Sequence, residues 1–133
     1  MPFVRIHLRE ARYDDQRLDA LSAAVQASLL EVLKVPADDF FQIIDELPRG
    51  RFRHTPAFLG ITYSDDFILL ELTFIVGRPK ETRLALSKAL NARIVAATGI
   101  SPDDLVVMLM EIPGENISFG QGLAQRAQVS AGT

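Results

Sequence analysis

The sequence predicts an α/β (α+β) protein built from two β-α-β units, which together form one four-stranded mixed sheet with both helices on one face. Three observations carry this reading. The chain opens on a strict apolar alternation, the period of a strand. Apolar steps of three and four follow each of two strand-like segments. Two similar Pro-Asp turns, Val35-Pro36-Ala37-Asp38-Asp39-Phe40 and Ile100-Ser101-Pro102-Asp103-Asp104-Leu105, each join a helix to a strand, as an internal duplication would.

The elements follow in order. From Phe3 to Leu8, Val4, Ile6 and Leu8 point one way and Phe3, Arg5 and His7 the other, so this strand is half-buried and residue 2 lies at the mouth of a sheet. Asp14 is suited to cap a helix whose stripe is Leu18, Leu21, Val25, Leu29 and Val32, and Pro36 is expected to stop it. Phe40 to Ile44 reads as a second strand. Leu47 to Gly60, with two prolines and two glycines, reads as loop or loop with a short strand. Phe67 to Val76 is nearly unbroken apolar and β-branched sequence, expected as a central strand covered on both faces. Pro79 suits the first turn of a second helix carrying Leu86, Leu90 and Ile94 and closing at Gly99. Leu105 to Ile112 is the last strand. The expected organisation is a single domain over 1–133, with halves at about 2–46 and 67–112 and a C-terminal segment 113–133. Right-handed crossovers put both helices on one side. The other sheet face then needs a cover, and an oligomer would supply it.

Composition excludes several classes. The chain has 133 residues, 48% of them apolar, enough for a core. Its 14 Lys and Arg against 17 Asp and Glu argue against a nucleic-acid binder. With no cysteine there is no disulfide, thiolate metal site or thiol nucleophile, and His7 and His54 are too few and too scattered for zinc. No apolar run crosses a bilayer, and the start lacks the apolar centre of a signal peptide, so the expectation is a soluble cytoplasmic protein without membrane contact. Gly120-Gln121-Gly122-Leu123 lacks the third glycine of a dinucleotide loop and reads as a turn. No cofactor or metal is expected.

Four features bear on chemistry. Met1-Pro2 allows removal of methionine, which would make Pro2 a terminal secondary amine, able to take and return a proton where an internal proline cannot. Apolar walls such as Phe3, Phe41 or Phe119 would disfavour its cation. Arg78, where the central strand ends, is either a solvated turn residue or a two-pronged carboxylate clamp. Asp39 either stabilises its turn or orients a water and biases a proton. The cluster Arg49, Arg51, Arg53 and His54 reads as a solvated loop, an anion funnel or a nucleic-acid contact, and His7 as structural.

Pro2 with PFVRIHLREAR, the turn VPADDFFQIIDE, GRPKE around Arg78 and the C-terminal NISFGQGLAQ resemble, in order and spacing, the tautomerase superfamily, and within it the longer-chain group that includes malonate semialdehyde decarboxylase and its tautomerase-like relatives. The resemblance implies a homotrimer and an amino-terminal catalytic proline, Pro2. It implies Arg78 as the substrate-binding arginine, Asp39 as the aspartate of the decarboxylase-like members, and Phe119, with Phe41, as an aromatic wall. Two positions depart from the decarboxylase pattern: Val76 stands in place of a second arginine, and Ile117 in place of a tryptophan. The activity implied is therefore tautomerisation of small 2-oxo or enol carboxylic acids by proton transfer. A cofactor-independent decarboxylase or hydratase of a 3-oxo acid such as malonate semialdehyde is the alternative, and a non-catalytic ligand-binding or assembly member of the fold is the third reading.

Overall fold

A computed structural model of the chain describes residues 1–128; the end of the segment 113–133, residues 129–133, lies outside the described residues. The elements are β1 (Phe3–Arg9), α1 (Asp15–Leu33), β2 (Gln42–Leu47), β3 (Ala57–Phe58), β4 (Ile61–Thr62), β5 (Ile68–Ile75), α2 (Lys80–Thr98) and β6 (Leu105–Ile112). The main sheet runs β2-β1-β5-β6. Its outer pairs are parallel and its central pair, β1 with β5, is antiparallel. Each β-α-β unit thus supplies one inner and one outer strand, and the two units meet head to tail at the middle.

Alternation in the strands sorts the sheet into two faces. Ile6, Leu8, Leu70, Leu72 and Phe74 are fully buried beneath the helices, against Leu21, Val25 and Leu29 of α1 and Leu86, Leu90 and Ile94 of α2. Burial of this kind contributes about 1.5–3 kcal/mol per large side chain, so the core is the main source of stability. The caps match their sequence signals. Asp14 accepts a hydrogen bond from the Arg17 amide at 2.8 Å, and Gly99, at φ 76°, closes α2 through its amide on the Val95 carbonyl.

Four expectations are corrected. Helix α1 ends at Leu33, because Lys34 turns left-handed (φ 58°) two residues before Pro36 can act. Strand β2 begins at Gln42 rather than Phe40, leaving two exposed aromatic rings, Phe40 and Phe41, ahead of it. Pro79 stands just outside α2, as its cap residue, rather than in its first turn. Within the single chain the long central strand is covered on one face only: Leu69, Glu71 and Thr73 alternate with its buried residues and point away from the helices. The loop between the halves holds a two-residue hairpin, β3 with β4. Leu59 and Gly60 both take positive φ at its turn, the geometry a tight hairpin requires.

The face away from the helices is open. Arg5 lies between Ile43 and Glu71 across the strands, and Glu71 lies beside Met108. Phe3, Ile43, Met108 and Met110 are exposed there. Among them His7 places Nε2 2.6 Å from Glu71 and Nδ1 3.1 Å from Asp45.

Candidate active site

The C-terminal end of β5, the α1–β2 turn and the chain's beginning come together because β1 and β5 are antiparallel neighbours and β2 runs parallel to β1. They enclose a cleft of about 940 Å³. It is lined by Ile75, Val76, Gly77 and Arg78 from the end of β5, by Lys34, Val35, Pro36, Asp38 and Asp39 from the turn before β2, and by Met1, Phe41, Phe119, Gln125 and Arg126.

The turn Val35–Asp39 is folded by a hydrogen bond from the Asp39 amide to the Pro36 carbonyl at 3.0 Å. The Asp39 carbonyl also accepts from Gln26 Nε2 of α1 at 3.2 Å. This fixes the carboxylate, which accepts a hydrogen bond from the Met1 ammonium and forms an ion pair with it. Pro2 is buried at the head of β1, and Met1 stands between it and the cleft.

Arg78 enters from the turn after β5. It is half-buried, and burial lowers its guanidinium pKa, while Asp39 and Glu111 act in the opposite sense. Its Nη1 donates to the Ile75 carbonyl at 3.3 Å, and its cation stands 5.5 Å from the Phe74 ring centre. Among the described residues no carboxylate lies within ion-pair distance of Arg78, Lys34 or Arg126. The cleft therefore carries cationic charge that is open to an anionic guest.

The aromatic closure is continuous with the sheet. Phe3 stacks on Phe41 with ring centres 4.4 Å apart, and Phe119 lies 6.2 Å from Phe3 and 6.3 Å from Phe41. The segment after Phe119 turns through Gly120, Gln121 and Gly122, all at positive φ. The Gln125 amide group then locks it, accepting from the Phe119 amide at 3.0 Å and donating to the Gly120 carbonyl at 3.1 Å.

Of the residues singled out in the sequence, Asp39, Arg78, Phe41 and Phe119 line this one cleft, and Pro2 lies one residue behind it. Arg49, Arg51, Arg53 and His54 do not line it. Arg49 pairs with Asp65 at 3.2 Å, Arg53 bonds back to the Gly50 carbonyl, and His54 packs on Phe67 with ring centres 4.5 Å apart. His7 is on the open sheet face. Sequence reasoning missed Lys34, Gln125 and Arg126; a lysine two residues before a proline and a glutamine five residues after a glycine were their only signals. Among the described residues no group of three or more His, Asp or Glu side chains could hold a metal ion.

Two family models, each described as tautomerase enzyme, match the chain, one over residues 39–120 and the other over residues 2–54. Probable tautomerase YusQ of Bacillus subtilis (strain 168) is 35% identical over 94% of this chain and 98% of its own length. Probable tautomerase YrdN of the same organism is 30% identical over 94% and 95%. Among solved structures, malonate semialdehyde decarboxylase superposes with a TM-score of 0.83 at 28% identity, covering 92% of this chain and 93% of that one. FG41 malonate semialdehyde decarboxylase inhibited by 3-bromopropiolate gives the same TM-score at 31% identity, covering 92% of each chain. A fused 4-OT symmetric trimer, at 22% identity and a TM-score of 0.77, shares the fold. The chain belongs to the tautomerase enzyme family and has its duplicated β-α-β fold.

Proposed function

We propose that the cleft is the active site of a tautomerase in which Pro2, exposed as the terminal amine once Met1 is removed, moves a proton on a small 2-oxo or enol carboxylic acid. The observation that carries this reading is the position of the chain terminus. Met1 lines the cleft with its ammonium on Asp39, and Arg78, Phe41 and Phe119 line the same space. Consecutive Cα atoms are about 3.8 Å apart. Removing Met1 therefore brings the amine to Pro2 at the cleft's edge.

The chemistry follows from the groups present. A neutral secondary amine takes a proton from the enol oxygen or from carbon, and the resulting ammonium returns one to the other position. Arg78 holds the substrate carboxylate in a two-pronged contact and stabilises enolate charge as it develops. Phe41 and Phe119 exclude water. Acid, base and anion clamp are all groups of this chain, so the reaction is proposed to run without a cofactor.

Asp39 favours a second reading. Its carboxylate lies at the amino end of the chain, where it would orient a water beside Pro2. Cationic Pro2 together with a water held by Asp39 would hydrate or decarboxylate a 3-oxo acid, and the two malonate semialdehyde decarboxylase structures are similar to this chain at 28% and 31% identity.

The working form is proposed to be a homotrimer that covers the open sheet face. A cytoplasmic location, expected from the sequence, belongs to the same proposal and is checked by cell fractionation. The deciding experiment combines intact-mass measurement with turnover of phenylenolpyruvate by the wild type and by Pro2→Ala. Loss of about 100-fold or more in kcat with the fold retained supports the proline mechanism, given what acid–base catalysis typically contributes. Retained Met1, or unchanged turnover, overturns it.

A further inference from the structure

On the open face of the sheet His7 has a carboxylate against each ring nitrogen, Glu71 2.6 Å from Nε2 and Asp45 3.1 Å from Nδ1. We infer that this cluster is a proton-dependent part of the interface between copies of this chain: His7 enters the interface as an imidazolium, and assembly loosens when that proton is lost. The inference rests on the proposal that a homotrimer covers the open face, and it names what regulates that cover.

The geometry fixes the number of protons. A neutral imidazole has one N–H and one lone pair, so it donates to one carboxylate and sets its lone pair against the other. Both contacts are hydrogen bonds only when the ring carries two protons, and 2.6 Å is the length of a charge-assisted bond. Strand register holds the partners in place: Asp45 lies directly across from His7 on β2, and Glu71 lies diagonally on β5, opposite Arg5. The other charged groups nearby are already engaged. Arg5 is 3.9 Å from Asp45, while Arg9 donates to Asp65 at 2.6 Å and to the Phe52 carbonyl at 3.0 Å. The Phe52 ring stands edge-on to His7, with centres 6.5 Å apart, and on the β6 side Glu71 meets Met108. With His7 protonated, Arg5 and His7 balance Asp45 and Glu71; without that proton one negative charge is left over. A balanced cluster among the exposed Phe3, Ile43, Met108 and Met110 suits the same balanced face on a second copy better than a strongly charged partner. Covering the cluster removes water, which makes an unbalanced charge costly and strengthens both contacts. The assembled form therefore holds the proton more firmly than the separate subunit, and by linkage a rise in pH favours separation.

The test is sedimentation of the full chain from about pH 6 to about pH 8.5, the range in which histidine ordinarily changes charge. The dissociation constant of the wild-type trimer is expected to rise about tenfold or more across it, as release of a proton from each subunit requires. Glu71→Gln is the deciding variant. A neutral His7 then donates to Asp45 through Nδ1 and accepts at Nε2 from the new amide, so this protein should stay assembled over the whole range. His7→Gln should assemble more weakly than the wild type at about pH 6 and show no slope, with circular dichroism checking that each variant is folded. A wild-type trimer equally tight at both ends of the range overturns the inference and leaves the trimer standing, and so does a slope that persists in His7→Gln or Glu71→Gln. A wild type that is monomeric at every pH removes the trimer and this inference together, while the proline mechanism is still judged by its own turnover assay.

Discussion

Replacing Arg78 with alanine separates a binding role from a structural one, because the structure gives this side chain little to do for the fold. Its hydrogen bond to the Ile75 carbonyl is long, at 3.3 Å, and its contact with the Phe74 ring, at 5.5 Å, is near the outer limit for a cation over an aromatic face. Each contributes about 0.5 kcal/mol at a half-exposed position. The loss in stability should then be about 1 kcal/mol, or roughly 4 °C in Tm for a domain of this size. Binding should suffer far more. A charge-assisted contact to a carboxylate contributes about 1.5–3 kcal/mol, which is about 10- to 150-fold in affinity. Partial burial of Arg78 favours the upper half of that range, since less water screens the pair. Steady-state kinetics with phenylenolpyruvate should show KM raised about 30-fold or more. Arg78→Lys keeps the charge but loses the two-pronged geometry, and should fall between. A folded Arg78→Ala protein with the wild-type KM would refute the clamp and reduce Arg78 to a turn residue.

Other predictions concern the frame around the cleft. Tyr13 is buried and donates to the Asp66 carbonyl at 2.5 Å; burial first, then Asp66, raises its pKa. A raised folded-state pKa keeps the proton on in the native protein while the unfolded chain loses it, so stability should hold below about pH 10 and fall as pH rises beyond it. Tyr13→Phe should cost about 1 kcal/mol at neutral pH and flatten that alkaline fall, as read by urea titrations across the range. Asp104, only 2% exposed, accepts from both the Ser64 amide at 2.7 Å and the Ser64 hydroxyl at 2.6 Å. Asp104→Ala should destabilise by about 2–3 kcal/mol and speed amide exchange in the β3–β4 hairpin first, because Ser64 leads directly from it. On the open face, Met108→Glu would put a second carboxylate beside Glu71. Sedimentation should then give monomer where the wild type gives trimer, and a wild type that sediments as a monomer would sink the assembly proposal.

Most of the frame was legible in the sequence, because period and caps speak locally. The alternation of Phe3–Leu8, the stripe Leu86, Leu90 and Ile94, and the Asp14 and Gly99 caps each depend on residues a few positions apart. The misreadings arose where tertiary context decides. Phe40 and Phe41 have the composition of a strand, but the assigned strand starts at Gln42; the Phe41 carbonyl accepts from the Val4 amide at 3.0 Å, and the Phe41 ring lines the cleft. Glu71 and Thr73 were the hint that β5 has a second, uncovered face, outvoted by the apolar residues around them. At the site, Asp39 and Arg78 sit on turns at strand ends, where sequence signals are strong. Lys34 and Arg126 reach the cleft through a left-handed cap and a glycine turn locked by Gln125, and no local pattern announces either.

The three stacked rings have a consequence for how the protein behaves on dilution. Phe3 belongs to the open sheet face, Phe41 to the cleft wall and Phe119 to the segment that carries Arg126, and they touch in series. Whatever presses on Phe3 therefore also steadies the far wall of the cleft. If the proposed trimer covers the open face, a subunit stripped of its neighbours would keep its helix-covered core but lose the backing behind that stack. Specific activity should then depend on enzyme concentration, declining in nanomolar solutions while the circular dichroism of the chain is still that of the native fold.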